Sequence, residues 1–126
     1  ENKLWLELLE NEKKFQYYDF TQLYRHLLAI RRKHDKMGKN VVLQSVSWKM
    51  TESFIEKYGK SEAVDKLIET LEKEREKACN LFNEFLEKIG WTTCSFEAKY
   101  YTDTDMLDAI KGSDKYDDFC KQYFLD

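Results

Sequence analysis

The sequence predicts a mainly α fold: a helical bundle of five or six helices around a long antiparallel hairpin (41–58/61–89), with one short extended β segment near 92–101. Three observations carry that prediction. There is no proline and there are only four glycines, so the turn residues that a sandwich or barrel needs at short intervals are missing. Charged residues make up 36% of the chain, which suits amphipathic helices with solvated outer faces. Between residues 61 and 89, Val64, Ile68, Leu71, Arg75, Ala78, Phe82, Phe85 and Ile89 keep an unbroken heptad spacing. With 126 residues, 42% of them hydrophobic and 15% aromatic, the chain has material for one core, a single helical domain over 1–126.

Leu4, Leu8 and Phe15, with Trp5 and Leu9 beside them, form the apolar side of a short helix near 3–14. Asp19 or Thr21 can cap the next helix, because both side chains accept hydrogen bonds from orphan amides. Its stripe is Leu23, Leu27, Ile30, His34, Met37 and Val41, interrupted at Gly38. Residues 41–58 carry one stripe of Leu43, Val46, Met50, Phe54 and Tyr58 and a second of Val41, Trp48 and Ile55. A helix with two apolar faces is the favoured reading, although "NVVLQSVSW" is β-branched and partly alternating, which would also suit a strand.

Gly59 ends that segment and Ser61 caps the long helix 61–89, which Gly90 stops in a left-handed turn, letting Trp91 fold back. Arg75, the one charge in the seam of this helix, is expected to extend outward along a helix-pair edge. In "TCSFEAKYY" the period changes: Cys94, Phe96, Ala98 and Tyr100 alternate with Ser95, Glu97, Lys99 and Tyr101, the mark of a half-buried strand. Such a strand needs a partner, within 41–48, across a dimer axis or in another protein. Thr102 to Asp105 cap a short helix ending at Gly112, and Ser113 caps a last one.

Composition bounds the function. Cys79, Cys94 and Cys120 are widely spaced and odd in number, unlike a disulfide framework or zinc site, so reduced thiols in the cytoplasm are expected. No apolar run approaches the roughly 20 residues of a membrane span, and no membrane role is expected. The net charge of −3 is unevenly spread. Residues 21–50 hold Arg25, Arg31, Arg32, Lys33, Lys36, Lys39 and Lys49 against the single acid Asp35, whereas 91–126 hold eight acids against four lysines. Lysine outnumbers arginine 17 to 4, a usage that accompanies AT-rich coding in low-GC bacteria and their phages.

No phosphate loop, dinucleotide fingerprint, metalloprotease helix or nucleophile elbow is present, so neither catalysis, a cofactor nor a metal is expected. "DTDMLDAIKGSD" puts Asp108 and Asp114 where a calcium loop requires glycine and glutamate, and it reads as a capped helix. The weak catalytic candidates are His34 and Asp35. "HDKMGKNV", with Arg31 three residues before the histidine, resembles the histidine box of one class of sensor kinases. That resemblance implies phosphotransfer on His34, Asp35 as its base or orienting group, and a helical hairpin after it. Lys33 stands where those kinases carry an aliphatic residue, and His34 falls on the apolar stripe, where a packed imidazole is expected.

The function expected is non-catalytic: a small regulatory or adaptor module acting through protein contacts, as a homodimer or with another partner. Arg25, Arg31, Arg32, Lys33, Lys36 and Lys39 are its candidate contact residues, together with Tyr17, Tyr18 and Tyr24. The alternative is polyanion or nucleic-acid binding through the same block, 25–39.

Overall fold

A computed structural model describes residues 1–34, 38–49, 51–59 and 61–123. The element order is α1 (Asn2–Leu9), a 3-10 turn (Glu10–Lys14), α2 (Phe20–His34), β1 (Val41–Lys49), α3 (Glu52–Tyr58), α4 (Glu62–Lys88), β2 (Cys94–Thr102), α5 (Asp103–Ile110) and α6 (Tyr116–Tyr123). The chain is mostly helical, and its two strands pair in parallel. Parallel neighbours need a crossover, which α3 and α4 supply here.

The favoured helix over 41–58, and with it the 41–58/61–89 helical hairpin, is corrected: 41–49 is a strand and only Glu52–Tyr58 is helical. Along β1 the half-buried residues Val41, Leu43, Ser45 and Ser47 alternate with exposed Val42, Gln44, Val46 and Trp48. The two apolar stripes came from a strand followed by a short helix, and each has its own period. Pairing decides the matter, because β2 leaves its amides unmet unless a neighbour supplies carbonyls. The partner expected within 41–48 is the one found, with the Val41 amide donating to the Thr93 carbonyl at 2.8 Å where the ladder begins.

The residues group into two compact units, Glu1–Ser45 with Ser61–Ala98, and Val46–Lys60 with Lys99–Asp126. The first holds the buried core: Trp5 and Leu8 of α1, Phe20 and Leu27 of α2, Ala78, Phe82, Phe85 and Leu86 of α4, then Trp91, Cys94 and Phe96. A run of rings crosses it, Phe15 on Phe20 and Phe20 on Phe82 at 4.9 Å each, then Phe82 against Phe96 at 5.3 Å. Asp19 caps α2 by accepting from the Gln22 amide at 2.9 Å. The Ser61 hydroxyl caps α4 by accepting from the Val64 amide at 3.2 Å. At its other end Gly90 has φ +70°, the Trp91 amide donates to the Leu86 carbonyl and the Gly90 amide to the Glu87 carbonyl, both at 3.0 Å. This is the Schellman closure the sequence predicts, with Leu86 and Trp91 both in the core. Arg75, expected to extend outward along a helix-pair edge, is half-buried.

In the second unit, Thr102 and Asp105 form a reciprocal capping box at the start of α5: the Asp105 amide donates to the Thr102 hydroxyl at 3.1 Å, and the Thr102 amide to Asp105 Oδ2 at 2.7 Å. Val46 and Trp48 are exposed on one face of β1 in this unit, and the Lys99 ammonium lies 5.2 Å from the Tyr101 ring centre.

Candidate functional site

Helices α1 and α2 bring together the most differentiated surface of the first unit. A groove of about 540 Å³ opens between them, lined by Glu1, Asn2, Trp5 and Leu6 of the first segment and by Tyr24, Leu28, Arg31, Arg32 and Lys33 of the second. Helical spacing explains the α2 wall: Tyr24, Leu28 and Arg31 recur at four and three residues and share a face. Its floor is rigid. The Trp5 ring meets Tyr24 edge-on at 5.7 Å and Phe85 at 4.5 Å, and burial pushes the Tyr24 phenol above its ordinary pKa. On the rim Leu6 is 63% exposed, a large apolar side chain left in water.

The cationic side of the groove is built around a fixed arginine. Arg31 donates from Nε to Glu1 Oε1 at 3.3 Å and from a terminal nitrogen to Glu1 Oε2 at 3.5 Å, and its guanidinium lies 4.9 Å over the Trp91 ring. The Trp5 indole donates to the same Glu1 Oε1 at 3.3 Å. The hydrogen bond from Arg31, then that from Trp5, holds the Glu1 carboxyl below its ordinary range despite opposing desolvation. Arg32 and Lys33 beside it are exposed. All three cations sit in the last turn of α2, where positive charge also complements the helix dipole.

Of the residues singled out in the sequence, Tyr24, Arg31, Arg32 and Lys33 thus converge on the groove. Arg25 and Lys39 are exposed but do not line it. Lys36 and Asp35 lie outside the described residues, so the His34–Asp35 pairing does too. His34 is half-buried as the last residue of α2. The strand β1 follows it, so the helical hairpin implied by the sensor-kinase resemblance is not formed.

Tyr17 and Tyr18 belong elsewhere, and their loop is held from inside. Glu74 of α4, 9% exposed, accepts the Gln16 amide on Oε1 at 2.7 Å and the amides of Tyr17 and Tyr18 on Oε2 at 2.9 Å each. Desolvation is the largest single influence on its pKa and acts upward, but the three amides and the Lys77 charge together outweigh it and lower the value. Tyr18 donates its hydroxyl to Ser45 Oγ at 2.8 Å, whereas the Tyr17 side chain is 51% exposed.

Sequence reasoning missed Leu6, Leu28, Glu1 and Glu74. Leu6 carried a signal: in "LWLELL" it lies off the Leu4–Leu8 stripe, and an apolar residue off its stripe marks a second contact. Glu74 carried none, since its partners are backbone amides 56 to 58 residues away. Among the described residues no cluster of His, Cys, Asp or Glu is arranged to hold a metal, and no helix is long and apolar enough to cross a membrane. Comparison with protein-family models, curated proteins and solved structures finds no match.

Proposed function

We propose that this chain is a non-catalytic regulatory or adaptor module that acts through protein contacts, self-association as a homodimer included. One observation carries the reading: the α1/α2 groove, where an exposed leucine and an aromatic floor meet Arg31, Arg32 and Lys33. Apolar anchors with adjacent arginine are the side chains from which interfaces draw most of their energy. Cys79 and Cys94 carry free thiols, which accords with the reducing cytoplasm as its setting.

The test is light scattering and affinity capture with the parent chain and with Leu6→Asp. Self-association or partner capture that Leu6→Asp removes supports the reading; a strict monomer that captures nothing sinks it. The cations on the groove rim also favour a second reading, polyanion binding. It requires salt-sensitive retention on heparin or DNA that Arg31→Glu/Arg32→Glu abolishes, and indifference to salt removes it.

A further inference from the structure

We infer that the α1/α2 groove takes a linear acidic segment of a partner protein, in which an aliphatic or aromatic anchor is flanked by carboxylates. The inference rests on the protein-contact reading above and names the chemistry of the occupant. First, the groove already holds a carboxylate. Glu1 is received by two Arg31 nitrogens and the Trp5 indole, so this wall presents donors at carboxylate spacing, and the Glu1 side chain there remains 47% exposed. Next to it, Arg32 and Lys33 offer two further cations on the exposed rim. Second, the groove also presents Trp5, Leu6, Tyr24 and Leu28, with Asn2 the one other polar side chain among the described residues lining it, and its whole volume of about 540 Å³ has room for a large anchoring side chain and its neighbours.

The same features disfavour nucleic acid as occupant. The cations are gathered at one end of α2 instead of tracking a backbone, and the aliphatic Leu6 and Leu28 suit an apolar anchoring side chain better than a base.

The experiment selects a display library of random linear peptides on the intact chain, with counter-selection on Leu6→Asp, and runs a labelled oligothymidine in parallel. Enrichment of peptides with Asp or Glu flanking an apolar anchor is the expected result. Labelled winners should bind about tenfold more weakly to Arg32→Glu/Lys33→Glu and to Leu6→Asp, and more weakly as salt is raised. These positions are exposed, so an unchanged melting curve shows that the fold survives. Enrichment of neutral or basic peptides that still need Leu6 overturns the acidic class and leaves the protein-contact reading standing. Failure to enrich any peptide also overturns the inference, and oligothymidine bound more tightly than any peptide overturns both readings.

Discussion

At the scale of single residues, Glu74 is the most consequential polar side chain in the first unit. One buried carboxylate meets three successive amides of the loop before α2, a concave anion site built from backbone and filled by the chain itself. Replacing it strands those donors, so Glu74→Ala should cost about 2–3 kcal/mol in urea denaturation. The sign of its pH dependence follows from the lowered pKa. A carboxyl whose folded value lies below its unfolded value contributes fully above the unfolded value, near ~4.3, and loses that contribution as pH falls through the folded one. Acid titration of stability should therefore be shallower in Glu74→Gln than in the parent chain, and an equal slope would refute the assignment.

Cys94 illustrates the opposite shift. Burial pushes its thiol up to about 11, against a smaller opposing pull from Arg31. At pH 7 only about one Cys94 in ten thousand is then a thiolate, the form that reacts. Alkylation of Cys94, followed by peptide mass spectrometry, should be negligible in the native chain and rapid in denaturant. Native labelling at the unfolded rate would contradict its placement.

Among the elements, β2 shows how a two-stranded sheet is kept from growing. One edge pairs with β1. Off the ladder at Phe96, the side chain of Asn83 in α4 acts as a substitute peptide: it accepts the Phe96 amide on Oδ1 and donates from Nδ2 to the Phe96 carbonyl, both at 2.9 Å. Cys79 Sγ donates to the same carbonyl at 3.4 Å. A helix residue thereby covers a strand edge that could otherwise template aggregation. Asn83→Leu leaves the Phe96 amide without its acceptor and should destabilise the chain by about 1–3 kcal/mol. The same variant should aggregate sooner on heating, which turbidity measures; unchanged stability and turbidity would show that water serves Phe96 as well.

For the whole molecule, stability is concentrated in the first unit, where every buried core residue among those described lies. Phe82 is fully buried between Phe20 and Phe96. Phe82→Ala should cost about 3–5 kcal/mol, the transfer of the ring plus the cavity it leaves. A loss below about 1 kcal/mol would mean that the ring stack collapses around the gap.

The helices with strong local signals were legible without any tertiary information. Ser61, the heptad run and Gly90 define α4 to within a residue of its ends, and Thr102 with Asp105 opens α5, because caps and periodicity act over three or four positions. The alternation from Cys94 onward marks β2 for the same local reason. One wall of the candidate site was legible as well, since Tyr24, Arg31, Arg32 and Lys33 are neighbours on one helix. Three matters were settled only when distant segments met. Residues 41–49 became a strand because β2 needed a neighbour, and that demand overrides a balanced local preference. Leu6 and Glu1 joined the basic turn of α2 because α1 packs there, closing a groove from residues about thirty positions apart. Glu74 became the anchor of the loop at 16–18 because backbone amides, which every residue carries, leave no trace in a sequence until folding aims them at one carboxylate.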